Sequence, residues 1–236
     1  MSIDIIIAFY NPPNNWEKIV FDKFEELRKC FSDCKTSLII VNDGSDKKKY
    51  NQELSYLKKG IRNFHYISHK KNKGKGFALR RGVAASKSCF QIITDIDFPY
   101  NKKSVISIYK ALNGGHDVVV GIREENYYTK KPLFRVWLSK AFRKFVKFIL
   151  KLNISDTQCG LKGFNKKGKK AFLNTKINTF LFDVEFLLIS QRNQLNIWQE
   201  PVNARKNIVL TNFKFRVLLI ELYNLFLLCI GLFKRR

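Results

Sequence analysis

Acidic residues are scarce in this chain: 19 Asp and Glu stand against 44 Lys and Arg in 236 residues, a formal charge of +25. Such an excess requires an anionic partner, and nucleic acid, anionic lipid and phosphorylated substrates all qualify. Cysteines are few. The five, Cys30, Cys34, Cys89, Cys159 and Cys229, form no CxxC pair and have no histidine cluster to match, which argues against a zinc site. Their odd number, with no signal-like stretch at Ser2 to Phe9, predicts reduced thiols in a cytosolic setting. A GxxxxGK[ST] loop, internal repeats and low-complexity linkers are all missing. So are RRM, KH and helix-turn-helix signatures, and the charge therefore predicts no specific nucleic-acid partner. No uninterrupted apolar run reaches the roughly 20 residues of a membrane-spanning helix.

What is present is apolar enough to fold: 45% hydrophobic and 14% aromatic residues exclude disorder and suit one core with an appendage. Gln91 to Tyr100 (QIITDIDFPY) organises the rest. Its apolar run reads as a buried strand that delivers Asp95 and Asp97 to a turn at Pro99, where open α/β sheets bind ligands. Two carboxylates one residue apart can share a hard divalent cation with substrate phosphates, or can simply cap a turn. Ile3 to Phe9, Ser37 to Val41, Phe64 to Ser68 and Asp117 to Gly121 read as further strands. Helical spacing over Trp16 to Phe31 and about Phe77 to Ser86 alternates with them, predicting a parallel sheet with helices on both faces. Asp43 and Gly44 follow a buried strand, where Asp43 can grip a base or ribose or merely close an Asp-Gly turn. Lys73-Gly74-Lys75-Gly76 precedes a helix and can offer backbone N–H groups and ammonium groups to a diphosphate.

Lys131 to Leu152 predicts a long amphipathic helix, with Lys140, Arg143, Lys144, Lys147 and Lys151 on one stripe. Phe134, Trp137, Leu138, Ala141, Phe145, Phe148, Ile149 and Leu152 fall opposite. Such a helix can lie in a membrane interface or pack on the core, and Arg135 at its edge is a candidate phosphate ligand. Asp156, Thr157 and Gln158 make a polar cluster beside Gly160 and Gly163. Phe180 to Ser190 predicts a helix with Asp183 and Glu185 in its first turn; caps suit that place, but carboxylates in so apolar a run are costly unless paired. From Phe213 to Phe233 the chain is almost continuously apolar, interrupted by Glu221 and Asn224 and closed by Lys234-Arg235-Arg236. An interfacial or re-entrant helix on anionic lipid fits this tail, and a helix pairing with a second copy is the other option. The boundary falls near 208, with a catalytic domain over 1–208 and a membrane-associating segment over 209–236.

The order of these motifs resembles the family 2 inverting glycosyltransferases of GT-A fold, and within them the dolichyl- and polyprenyl-phosphate sugar synthases. Ile6 to Asn11 (IIAFYN) stands where the family has a strand ending in PAYNE, with Pro12 in place of its acid. Val41 to Ser45 (VNDGS) is similar to VDDGS, Asn72 to Gly76 (NKGKG) to the NxGKG loop, and Thr94 to Asp97 (TDID) to the metal-binding D-x-D. Gly121-Ile122-Arg123 resembles GSR, Asp156 to Lys162 (DTQCGLK) resembles DTQCGFK, and Phe182 to Phe186 (FDVEF) resembles FDVEL. The resemblance implies a Rossmann-like, mainly parallel α/β sheet with a membrane-associating helix. It implies a hexosyltransferase that moves sugar from a UDP- or GDP-linked donor to a polyprenyl phosphate at the cytoplasmic face of a membrane, in cell-envelope or glycoprotein synthesis. Donor contacts fall on Phe9, Tyr10, Asn11, Asp43, Gly44, Lys73, Gly74, Lys75 and Asp95, with Mg²⁺ or Mn²⁺ held by Asp95 and Asp97. Arg123 and Arg135 are the candidates to orient the acceptor phosphate, and Asp156 and Gln158 would line the sugar or acceptor side. Asp183 is the base if the acceptor is instead a glycan hydroxyl.

Overall fold

The computed structural model describes residues 1–123, 144, 146, 148, 150–205 and 215–233. Strand β1 (Ser2–Phe9) is the centre of the molecule, because its isoleucines are buried on both faces. A strand covered on both sides needs apolar residues at successive positions rather than alternation, which is what the sequence supplies. Helix α1 (Trp16–Cys30) leads to β2 (Lys35–Asn42), parallel to β1 with Ile5 opposite Leu38. Helix α2 (Asn51–Gly60), β3 (Phe64–Ser68), α3 (Lys75–Ala85) and β4 (Phe90–Thr94) continue the alternation, followed by α4 (Lys102–Asn113) and β5 (Val118–Arg123). Next come β6 (Lys162–Phe164), α5 (Lys166–Leu173), α6 (Phe182–Arg192), β7 (Ile197–Val202) and α7 (Phe215–Phe233).

The seven strands lie in the order β3-β2-β1-β4-β6-β5-β7. All pairings are parallel except those of β6, which runs antiparallel to β4 on one side and β5 on the other. The chain winds outward from β1 in opposite directions toward β2 and β4, so their carboxyl ends flank a topological switch point. Helices cover both faces as expected. Trp16, Phe24, Leu57 and Ile108 pack on one, and Leu79, Phe172, Phe182 and Phe186 on the other.

Several elements differ from expectation. Helix α3 starts at Lys75, two residues early, so Lys75 and Gly76 belong to its first turn rather than to a loop. The segment read as a polar cluster ends in strand β6, which is too short to carry a periodic signal. The amphipathic helix predicted over 131–152 lies mostly outside the described residues, Arg135 included. Its described end departs from the predicted phase: Phe148 is 72% exposed whereas Val146, Leu150 and Leu152 are buried. By Leu150 the helix has ended, and alternate residues through Ile154 turn inward with the period of an extended chain.

The tail does form a helix, α7, and Leu225, Leu228 and Cys229 pack on the second core face. Among the described residues no helix is long and apolar enough to cross a membrane.

Candidate active site

At the ends of β1 and β2 the chain builds a rigid corner. Asn42 holds Ser45 from both sides, accepting from its N–H at 2.7 Å and donating Nδ2–H to its carbonyl at 3.0 Å. The Ser45 hydroxyl in turn accepts from Asn11 N–H at 2.8 Å. Asp43 is buried, and its carboxylate accepts from the backbone N–H groups of Lys73 and Gly74, each at 2.9 Å, and lies 2.6 Å from His69 Nε2. Asp43 thus clamps the Lys73–Gly74 turn to the end of β2. Gly74 is required there, because its φ of 100° suits only glycine and a Cβ would strike the Asn178 carbonyl. Tyr10 beside this corner is exposed, but Phe9 is not: its ring packs at a tilt against Trp16, centroids 5.0 Å apart, and its carbonyl accepts from Asp43 N–H. The Phe9 side chain, expected at the donor, is part of the core, packed between Trp16 and Tyr50.

At the end of β4, Asp95 and Asp97 flank a turn closed by Phe98 N–H on the Asp95 carbonyl at 3.0 Å. Lys75 reaches across from α3 and places Nζ 2.5 Å from Asp95 Oδ1. Burial alone would raise the Asp95 carboxyl, but Lys75 overrides it and the pKa is lowered. Asp97 goes the other way, pushed up first by burial and then by the negative charge of Asp95. Arg205, just past β7, donates to the Asp97 carbonyl and holds this turn through its own backbone N–H on Pro99 at 2.8 Å.

The DTQCG segment supplies the third side. Arg123, at the end of β5, grips Asp156 with a two-pronged ion pair, Nε to Oδ2 at 2.6 Å and Nη2 to Oδ1 at 2.7 Å. Burial would raise the Asp156 carboxyl; Arg123 instead holds it below the ordinary carboxylate range. Thr157 and Cys159 are buried while Gln158 is exposed. Gly160 presses against the Asp95 carboxylate so closely that no side chain fits between them. Lys162 of β6 is fully buried, with Nζ 2.6 Å from both the Cys159 carbonyl and Asp183 Oδ1. Asp183, in the first turn of α6, is pushed up by burial against the pull of Lys162.

The sequence-predicted residues fall in two clusters at the carboxyl edge of the sheet: Asp43, Gly44, Lys73 and Gly74 in the corner after β2, and Lys75, Asp95, Asp97, Arg123, Asp156 and Asp183 in the charged cluster beside it. Lys162, Arg205 and His69 were missed. A lysine inside Leu161-Lys162-Gly163 carried the same signal as Asp183, since a charge in an apolar run must find a partner. In the charged cluster, the carboxylates Asp95, Asp97, Asp156 and Asp183 are matched in number by Lys75, Lys162, Arg123 and Arg205. A bound diphosphate would tip it negative, and a divalent cation between Asp95 and Asp97 would offset both the diphosphate and the repulsion that raises Asp97. Asp95 and Asp97 are the carboxylates that would hold such an ion, and Lys75 stands as a cation beside Asp95. Among the described residues no third His, Cys, Asp or Glu joins them.

A mainly parallel sheet with one antiparallel strand, and an acidic pair at the switch point beside a clamped glycine turn, define a GT-A-type nucleotide-sugar transferase architecture. The same fold is seen in glucosyl-3-phosphoglycerate synthase from Mycobacterium tuberculosis in complex with uridine-diphosphate. That likeness has a TM-score of 0.61 and 17% identity, over 89% of this chain and 73% of that one. A structure of that enzyme with Mn²⁺, UDP-glucose and phosphoglyceric acid aligns with a TM-score of 0.60 at 15% identity, over 88% of this chain and 72% of the other. The chain belongs to glycosyl transferase family 2, whose family model matches residues 4–171. It is 28% identical over 214 residues to dolichyl-phosphate beta-glucosyltransferase of Dictyostelium discoideum, covering 85% of this chain and 65% of that protein. The mouse protein of the same name is 27% identical over 216 residues, covering 86% and 67%. The chain thus spans about two thirds of the length of the curated relatives it matches.

Proposed function

We propose that this protein transfers a hexose, glucose in the first instance, from a nucleoside-diphosphate sugar to a polyprenyl phosphate at the cytoplasmic face of a membrane, with inversion at the anomeric carbon. The observation that carries this is the pairing of Asp183 with the fully buried Lys162. A sugar-hydroxyl acceptor needs a base to take its proton, and Asp183 is the residue the sequence offers for it. An ammonium 2.6 Å from its oxygen commits that carboxylate to holding β6 and α6 together. A phosphate monoester needs no base, because with a second pKa of about 6 it is already ionised at neutral pH. The names of the relatives support the same acceptor and sugar.

In this mechanism Asp43 and the Lys73–Gly74 turn shape the nucleoside and diphosphate seat, with Tyr10 and Asn11 at its edge. Asp95 and Asp97 would hold Mg²⁺ or Mn²⁺, which supplies charge stabilisation to the departing diphosphate. Lys75 and Arg205 add positive charge on the same side. Arg123, fixed by Asp156, holds the Asp156–Gly160 segment against Asp95, and Gln158 is exposed at its rim to meet sugar or acceptor. An oxygen of the lipid phosphate attacks the anomeric carbon, the bond from that carbon to the diphosphate oxygen breaks, and the nucleoside diphosphate leaves with the bonding pair. Orientation of the two phosphates supplies most of the rate.

The test uses labelled UDP-glucose, GDP-mannose and UDP-N-acetylglucosamine, Mn²⁺ and undecaprenyl phosphate in detergent. Metal-dependent passage of glucose label into the organic phase is the expected result. Label entering an oligosaccharide acceptor but never the lipid would overturn the proposal in favour of a glycan-extending transferase.

A further inference from the structure

The turn that seats the donor is gripped from two sides. On one, Asp43 accepts from the N–H groups of Lys73 and Gly74; on the other, the Asn178 carbonyl accepts from Gly76 N–H at 2.7 Å. The second contact is backbone against backbone. A Cβ at Gly74 would strike the Asn178 carbonyl, and one at Gly76 would strike that of Ile177. With no side chain between them to give way, any shift of residues 175–181 is passed to the turn.

Residues 175–181 join α5 to α6 without helix or strand, so groups outside the segment must hold its polar atoms. Two of the holders belong to the body of the domain. Arg80 of α3 donates to the Thr175 hydroxyl at 3.0 Å, to the Ile177 carbonyl at 2.7 Å and to the Asn178 side chain. Glu185 of α6 accepts from the N–H groups of Lys176 and Ile177 at 2.8 and 2.7 Å. Residues 179–181 are held by the tail helix instead. Glu221 of α7 accepts from the N–H groups of Phe180 and Leu181, each at 3.0 Å, and Asn224 donates to the Thr179 hydroxyl at 2.7 Å. Both are half-buried breaks in the apolar run of α7, costly there unless partnered, and both find partners on this one segment. A helix that had only to lie on lipid or on the core would need neither.

We infer that Glu221 and Asn224 are positioning residues for the donor: by fixing residues 179–181 they set the Asn178 carbonyl, and with it the turn at 73–76. The inference rests on the donor seat proposed above and involves no acceptor. Linkage makes the effect reciprocal, so a bound nucleotide tightens α7 on its segment as much as α7 tightens the nucleotide.

The test titrates UDP and GDP, each with Mn²⁺, into the full chain and its variants well below their melting temperatures. Glu221→Ala and Asn224→Ala should each raise the Kd of whichever nucleotide binds by about fivefold or more. Donor KM should rise with it while kcat at saturating donor stays near the wild-type value, a split that a loss of stability alone would not produce. Glu221→Gln keeps one acceptor oxygen and should fall between. Phe226→Ser, at an exposed position of the same helix, should keep the wild-type Kd. Should the alanine variants fail to fold, the wild-type protein carries the test: saturating nucleotide should slow hydrogen exchange at the Phe180 and Leu181 amides by a comparable factor. Wild-type Kd in both alanine variants, a loss confined to kcat, or exchange at those amides untouched by nucleotide overturns the coupling and leaves the donor seat standing. Binding of neither nucleotide by the wild-type protein overturns the donor seat and the coupling together.

Discussion

At the scale of single residues, the site is a set of buried and half-buried charges whose partners decide what each can do. Lys162→Met removes the ammonium and strands Asp183, which is buried. We expect a loss of about 3–5 kcal/mol in urea unfolding, with much of it recovered in Lys162→Met/Asp183→Leu, because an unpaired buried charge costs more than an apolar pair. Asp156 shows the pH side of the same physics. Its pKa is lowered in the folded protein, so the stability it contributes is present above the ordinary carboxylate range and is lost as pH falls through the depressed value. Asp156→Asn should lower the melting temperature at neutral pH and flatten its fall below about pH 4, close to the unfolded-state pKa of an aspartate. Asp97 is different in kind, since burial and Asp95 already penalise its charge. Asp97→Asn should leave the melting temperature intact or slightly raised while turnover drops at least a thousandfold, about 4 kcal/mol of barrier. Turnover retained in that variant would sink the metal assignment.

At the scale of elements, the molecule is assembled by short segments that touch at polar points. Strand β6 is three residues long, yet it closes the sheet between β4 and β5 and aims Lys162 at α6. The turn before it works by the absence of a side chain. Gly160→Ala has to displace the Asp95 carboxylate and should cut kcat tenfold or more with little change in donor KM. Gly115→Ala, with open space around its Cβ position, should cost about 1 kcal/mol of backbone strain and leave kcat alone. Helix α7 is joined to α6 by Glu221, whose carboxylate satisfies N–H groups just ahead of that helix's first turn. Glu221→Ala should speed hydrogen exchange at the Phe180 and Leu181 amides and cost about 1–3 kcal/mol. Unaltered exchange at those two amides would show that α7 is not held there.

At the scale of the whole molecule, a charge of +25 and a helix with exposed Ile220, Tyr223, Phe226 and Leu227 suit an anionic lipid surface. Binding to vesicles containing phosphatidylglycerol should weaken steeply between low and physiological salt, because the electrostatic part is screened with a Debye length of about 8 Å at 0.15 M. Salt-independent binding would leave the apolar face of α7 as the sole anchor.

Much of this architecture was legible in the residue order. Buried strands announce themselves as β-branched runs, helices as a recurring apolar side, and turns as Gly, Asn and Pro, all of which are local. The order of VNDGS, NKGKG, TDID and DTQCG pointed to one edge of the sheet for the same reason: each motif is a contiguous segment at or near a strand end. What sequence alone could not supply were the pairings. Whether Asp183 is a base or half of an ion pair depends on Lys162, 21 residues away; whether Glu221 breaks an apolar helix or fastens it depends on amides 40 and 41 residues away. That the Phe9 ring belongs to the core depends on Trp16 and Tyr50, which meet it. Local order thus determined the elements and the chemistry available at their ends, since both follow from neighbouring residues. Only the tertiary structure decided which charges are spent on the fold and which remain for substrate, because that is set by distances between segments remote in the chain.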